Sequence, residues 1–191
     1  MSNEMSNEMS KRRVVSVNQK KGLSIYDVIL VGVLLAAGAV LKFFVGSLFS
    51  AGMKPNFIIA MYCLAILLIK PRLGEGLIIG LLAGIVCQFF PGTPYINLVS
   101  ELVGAVVMVL IVSLPMAIKK FSLAPIVATF ISTLASGFTF IGVMYLVFYA
   151  GADIKPTPLA VFLGIIFGTA FINSIIVQVL YVPLKLALKK D

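Results

Sequence analysis

The sequence predicts an all-α membrane protein with six transmembrane helices, N-in and C-in. Three observations predict it. First, 61% of the 191 residues are hydrophobic and only 12% are charged, against ~45–50% and ~25% in an ordinary soluble domain. A globule of this size cannot hide so much apolar surface from water, whereas a bilayer accepts it. Second, clusters of Pro, Gly and Lys cut the chain into six apolar segments. Each is too long for a strand and lacks period-two alternation, so each reads as a helix. Third, the basic residues collect on one side of the resulting topology.

The chain opens with a polar stretch, Met1 to Lys21, that begins with the repeat MSNE-MSNE-MS. Residues 1–23 are expected to be a disordered cytoplasmic tail, because this composition cannot build a core. No short apolar region with a cleavage site comes first, so no cleavable leader is expected. Residues 24–191 form the transmembrane domain. The first segment runs from about Ser24 to Phe49 and stops at Ser50-Ala51-Gly52. The second runs from Pro55 to Ile69 and is closed by Lys70-Pro71-Arg72. The third begins at Gly74 and ends at Phe90, before Pro91-Gly92-Thr93-Pro94. The fourth spans Ile96 to Ile118, before Lys119-Lys120. The fifth spans Leu123 to Tyr149, and the sixth starts near Pro158 and ends in the Lys185 to Asp191 tail.

With the N-terminus inside, the inner connections and tails carry twelve Lys and Arg, and the outer ones only Lys54 and Lys155. The net charge of +8 is therefore mostly topology, and no nucleic-acid partner is expected. Segments two and three are short: about 15 residues reach only ~22 Å, against a ~30 Å hydrocarbon core. Partial or tilted spans shielded by their neighbours are expected. Gly76-x-x-x-Gly80-x-x-x-Gly84 and Gly164-x-x-x-Gly168 have the spacing that lets helices approach closely. Thr129, Ser132, Thr133, Ser136 and Gly137 share one face of helix five. All three stripes are read first as interhelical packing.

Composition also excludes chemistry. There is no His, which removes His-based catalysis, metal sites and proton relays. No P-loop, H-E-x-x-H or G-x-S-x-G motif is present, so the chain cannot hydrolyse ATP through its own P-loop and offers no hydrolase signature. Cys63 and Cys87 lie inside apolar runs and read as packing residues. No catalytic residue, metal or cofactor is expected.

Two ionisable residues inside the apolar segments, Lys42 and Glu101, are functional candidates by their position. By helical rise both lie toward the outer side. Asn97, Ser100, Glu101 and Gly104 share a face of helix four. Gln88, Tyr95 and Tyr145 lie at a similar height. A pocket with cations (Lys42, Lys54), an anion (Glu101), amides and aromatics suits a zwitterionic amino acid with an aromatic side chain.

The chain resembles the substrate-binding S components of energy-coupling factor (ECF) transporters, and among them the tryptophan-transporter family. The resemblance covers most of residues 28–184. It rests on Leu35-Ala36-Ala37-Gly38-Ala39, Gly52-Met53-Lys54-Pro55-Asn56, Phe90-Pro91-Gly92 with Pro94 and Asn97, Ser136-Gly137, and Ile172-Asn173-Ser174. It implies an S-component-like bundle that captures tryptophan from outside. It also implies partners: a transmembrane coupling subunit and two ATPase subunits that drive toppling of the S component. Met53, Lys54, Asn56, Asn97 and Asn173 are carried over as pocket or gate residues. Where the family has an A-x-x-x-A motif for docking the coupling subunit, this chain reads Gly32-x-x-x-Ala36. The expected location is a bacterial cell membrane, multi-pass, with both termini cytoplasmic. The alternatives are an S component for another aromatic or vitamin-like solute and, from another class, a small membrane enzyme or assembly factor. A channel is disfavoured because no charged ring or carbonyl-rich filter sequence occurs.

Overall fold

A computed structural model of the chain describes residues 22–46, 55–91, 93, 95–114, 123–154 and 158–189. Among these residues there are six α-helices and no strand: α1 (Ile25–Gly46), α2 (Ile58–Ile69), α3 (Leu73–Cys87), α4 (Ile96–Ser113), α5 (Ala124–Tyr149) and α6 (Leu159–Ala187). The tail expected over residues 1–23 lies outside the described residues apart from Gly22 and Leu23.

Local chemistry sets the helix ends. At the start of α1, the Ser24 hydroxyl accepts from the Asp27 N–H at 3.2 Å, and the Asp27 carboxylate accepts from the Ser24 N–H at 3.1 Å. This reciprocal pair is a capping box. α2 stops at Lys70, whose backbone is left-handed at φ 52° and whose N–H closes on the Ile66 carbonyl at 2.8 Å. Pro71 cannot continue the helix. At the start of α3, the Glu75 carboxylate accepts from the Arg72 N–H at 2.8 Å. Pro125 lies in the first turn of α5, where a missing N–H costs nothing.

α2 is the axis of the bundle. Ile58 through Leu68 are all buried, and α2 touches each of the other five helices. A helix that is apolar all round sits either in a protein core or in lipid, and here its neighbours enclose it. Around it, α3, α4, α5 and α6 pack in chain order, and α1 closes against α2 and α3. The outer faces are apolar: Val33, Phe44, Leu110, Leu146 and Phe171 are all more than half exposed. The interior holds Lys42, Glu101, Asn173 and a file of Ser and Thr side chains. Polar inside and apolar outside is the arrangement a bilayer selects. α1, α4, α5 and α6 are long and apolar enough to span it. α2 and α3 have 12 and 15 residues and rise only ~18 and ~22 Å, so their shortness matches the sequence expectation. Segment four is shorter as a helix than the apolar run suggested, because α4 ends at Ser113.

The glycine stripes part ways. A Cβ on Gly80 would meet the Ala105 Cβ at 2.7 Å and the Glu101 carbonyl at 3.0 Å. On Gly84 it would meet the Leu98 Cα at 2.8 Å, and on Gly76 it would strike Val109. This stripe brings α3 against α4. Gly38 does the same for α1 and α2, where a Cβ would meet the Ile58 Cα at 3.0 Å. Gly164 and Gly168 have nothing within 4 Å. The expectation that they pack helices within this chain is therefore corrected: identical spacing faces outward on α6. The helix-five stripe packs as expected. Thr129, Ser132, Thr133 and Ser136 are buried, and Gly137 meets Ile166.

These differences give a stability test. Gly80→Ala is expected to cost about 1–3 kcal/mol by forcing two backbones apart. Gly168→Ala is expected to be neutral or to stabilise by up to about 1 kcal/mol through helix propensity. Thermal unfolding followed by circular dichroism in detergent measures both; equal shifts would contradict the packing described.

Candidate functional site

Five helices, together with the residue leading into α2, each bring one polar or ionisable side chain to a common point. Lys42 comes from the last turns of α1, Asn56 from two residues before α2, and Cys87 from the end of α3. Glu101 comes from the second turn of α4, Ser136 from the middle of α5 and Asn173 from the middle of α6. The short α2 makes this possible. Its first residue lies ~17 Å along the axis from its Lys70 end, so the chain entering it is held within the bundle. Pro55 and Phe57 are buried on either side of Asn56.

Asn56 is the hub. Its Nδ2 donates to the Glu101 Oε1 at 2.6 Å and also faces the Cys87 Sγ at 3.6 Å. Its backbone carbonyl accepts from the Asn173 Nδ2 at 3.1 Å. The second Glu101 oxygen accepts from the Ser136 hydroxyl at 3.3 Å. The Lys42 ammonium sits 3.5 Å from the Cys87 Sγ and 5.1 Å from the centre of the Phe90 ring, within cation–π range. Cys87 and Asn56 link Lys42 to Glu101 through a chain of contacts. Glu101 and Asn173 are 1% and 0% exposed, and Lys42 is 8% exposed. The result is one buried amine, one buried carboxyl group and two amides enclosed by the bundle.

Below this point, Gly104 leaves room for Tyr62: a Cβ at 104 would strike the Tyr62 hydroxyl. The Ser132 hydroxyl donates to the Gly104 carbonyl at 2.8 Å, and the Cys63 thiol reaches Ser132 at 3.3 Å. On the opposite side of the cluster, Ile96, Ile141, Met144, Phe162 and Ile166 form a second apolar core.

The residues singled out from sequence are distributed as follows. Lys42, Asn56, Glu101 and Asn173 are brought together. Asn97 lies one turn from Glu101 on α4, half-buried, with its carbonyl pressed on Gly84. Gln88 is exposed and braces a loop: its Nε2 donates to the Gly84 carbonyl at 3.0 Å and its Oε1 accepts from the Tyr95 N–H at 3.1 Å. Tyr95 is 72% exposed. Tyr145 packs on the second apolar core, ~13 Å along α5 from Ser136. Met53 and Lys54 lie outside the described residues. Gly32 and Ala36 lie together on the exposed face of α1, with nothing within 4 Å of a Cβ on Gly32.

Sequence reasoning assigned Cys87 and Ser136 to packing alone. The spacing held the signal for both. Cys87 continues the buried Gly76-Gly80-Gly84 face by three residues, and Ser136 continues the face of Thr129, Ser132 and Thr133. Each stripe runs up to the cluster and ends in a polar atom.

The family model described as "Tryptophan transporter TrpP" matches residues 24–189. A curated protein of Clostridium acetobutylicum, named a probable tryptophan transport protein, is 30% identical over 142 residues. That match covers 72% of this chain and 80% of the other protein. No solved structure matches.

Asn56→Leu removes the shortest bond to a buried carboxylate and leaves Glu101 with Ser136. The expected loss is about 2–3 kcal/mol, the worth of a hydrogen bond to a charged group. Glu101→Gln keeps both contacts, since the new amide accepts from Asn56 and donates to Ser136, and its unfolding temperature is expected to stay near that of the parent. Detergent-phase unfolding of the two variants checks this; a Gln variant as damaged as the Leu variant would count against the hub.

Proposed function

The chain belongs to the tryptophan transporter TrpP family, and from that membership we propose that it is the substrate-binding S component of an ECF importer. In this reading it takes tryptophan from outside the cell and delivers it inward by toppling, driven by a coupling subunit and two ATPases. The absence of a P-loop supports the need for such partners. The orientation is N-in and C-in, with the Lys70–Arg72 connection inside and the open ends of α5 and α6 outside. Gly32 and Ala36 lie exposed on α1 between the exposed Val28, Ile29, Val33 and Val40, a small-residue notch that suits close contact with a coupling helix. Tryptophan transport itself is a binding task, not a covalent one.

The observation that carries the proposal is the buried pairing of Lys42 with Glu101 through Asn56 and Cys87. A zwitterion has one charge for each. Its ammonium suits the Glu101 carboxylate, and its carboxylate suits Lys42 together with the positive end of α2. Because the uncharged Cys87 and Asn56 stand between them, each protein group can exchange a neutral partner for a charged one. The apolar core of Ile96, Ile141, Met144, Phe162 and Ile166 suits an aromatic ring.

The chain contains no Trp, so all indole emission in a titration comes from the ligand, and the bound fraction is read from its blue shift against free tryptophan. Saturable, blue-shifted emission is expected for the parent protein. Glu101→Gln and Lys42→Met are each expected to weaken affinity at least about tenfold, the cost of one lost charge-assisted bond. Unchanged affinity in both variants would sink the charge clamp. Absence of a signal from folded parent protein would sink the substrate. Uptake in vesicles is expected only when the coupling subunit and ATPases are present, and these should co-purify with the chain.

A further inference from the structure

Asn173 carries an oxygen that the described residues leave unused. Its side chain is fully buried in the middle of α6. One bond sets the orientation of the amide: Nδ2 donates to the Asn56 carbonyl at 3.1 Å. Only the NH2 end can donate to a carbonyl, so Oδ1 must occupy the other position. Among the described residues that oxygen has no hydrogen-bond partner. Buried polar atoms are overwhelmingly paired, so an orphan of this kind calls for a donor that arrives from elsewhere.

Three of the other buried oxygens, those of Tyr62, Thr129 and Thr133, are hydroxyls, which rotate and can either donate or accept. A helical Thr can also turn to the carbonyl four residues back. Gln178 Oε1 is an amide oxygen too, but its residue has other interactions and lies five positions further along α6, ~8 Å from Asn173 by helical rise and on the side away from the second apolar core. Asn173 Oδ1 is an acceptor only, and flipping the amide would break the bond to Asn56. It can be satisfied only by an incoming N–H or O–H.

Its surroundings narrow the choice of donor. Glu101 holds the side chain of Asn56, and Asn173 holds the same residue's backbone carbonyl. The carboxylate and the free amide oxygen thus stand on either side of one residue. An ammonium group prefers the charged partner, which leaves the neutral oxygen for a neutral donor. Thr169, Ile166 and Phe162 precede Asn173 on α6 at helical spacing, and the latter two belong to the apolar core expected to wall a ring. The indole side chain has a single polar atom, its ring N–H, and that atom is a donor only.

Resting on the tryptophan reading above, we infer that Asn173 is the specificity-determining residue of the site, its Oδ1 accepting the indole N–H of the bound amino acid. Phenylalanine has no such donor and leaves the oxygen orphaned. Tyrosine places its hydroxyl at the end of a different ring, displaced from the position of the indole nitrogen. The apolar wall holds the ring, and Asn173 selects which ring.

The probe is 3-benzothienylalanine, which keeps the fused ring, the ammonium and the carboxylate of tryptophan but has sulfur in place of the ring N–H. It is competed against tryptophan on the full-length protein in detergent, with bound-tryptophan emission as the readout. The parent protein is expected to bind tryptophan roughly 10- to 100-fold more tightly than the analogue, the range for one buried neutral hydrogen bond left unmade. In Asn173→Leu and Asn173→Ala, tryptophan affinity is expected to fall and the ratio to shrink to within about threefold of one, since the coupling is lost with its partner. A ratio near one in the parent, or the full ratio retained in a folded variant, would overturn the assignment. Should both variants fail to fold, Asn173→Ser is read in their place, and a parent ratio near one overturns the assignment by itself. If the parent shows no saturable tryptophan binding, the transport reading falls first and this assignment with it; tryptophan binding without discrimination removes this assignment and leaves that reading standing.

Discussion

Everything in this bundle follows from a helix that is too short to cross a bilayer by itself and is enclosed by protein on every side. α2 has 12 residues, Ile58 to Ile69, and its side chains from Ile58 to Leu68 are buried. A membrane-spanning helix needs ~20 residues, so α2 ends inside the structure at one side. The backbone leading into it cannot be left against lipid, because unsatisfied N–H and C=O groups in hydrocarbon cost several kcal/mol each. It must be enclosed. The Asn56 carbonyl is taken by Asn173, and Pro55, which has no N–H to satisfy, is buried beside it. The five surrounding helices are thus arranged to seal one chain entry, and sealing it brings their polar residues together.

That enclosure explains why two opposite charges can persist in the interior. A lone carboxylate without water is costly, and a buried ion pair only partly recovers the loss. Here Glu101 accepts from Asn56 and Ser136, and Lys42 rests on a thiol and an aromatic ring. Neither partner of Lys42 is a strong acceptor. A charge held by weak partners keeps its capacity for stronger ones, whereas a direct bond between Lys42 and Glu101 would use up both.

The architecture was largely legible in the sequence because lipid imposes simple patterns. Six apolar runs became six helices, and the shortness of the second and third was visible from Lys70-Pro71-Arg72 and Phe90-Pro91-Gly92. Lys42 and Glu101 stood out because charge inside an apolar run is rare. Asn56 and Asn173 were reached through resemblance, and periodicity could not have supplied them: one precedes its helix and the other sits mid-helix among apolar neighbours. Gln88 and Tyr95 were grouped with the site by height alone. Height along a helix does not fix the angle around it, and their mutual bond turns them into a loop brace. Cys87 was passed over because a thiol in an apolar run packs as readily as it binds.

The two glycine stripes show the same limit from the other side. Gly76-Gly80-Gly84 and Gly164-Gly168 have one spacing and two outcomes, contact with α4 and an open outer face. Small residues permit approach but do not say what approaches. Within this chain the deciding factor is the face on which each glycine lies. Gly76, Gly80 and Gly84 face α4, as Gly38 faces α2 and Gly137 faces α6, whereas Gly164 and Gly168 lie on the outer face of α6. α6 has 29 residues. Only its inner face, marked by Phe162, Ile166, Ala170, Asn173 and Val177, is needed to close the bundle. The residues that build the polar cluster therefore lie on whichever face each helix must turn toward α2, and the site is a consequence of how the short helix is enclosed.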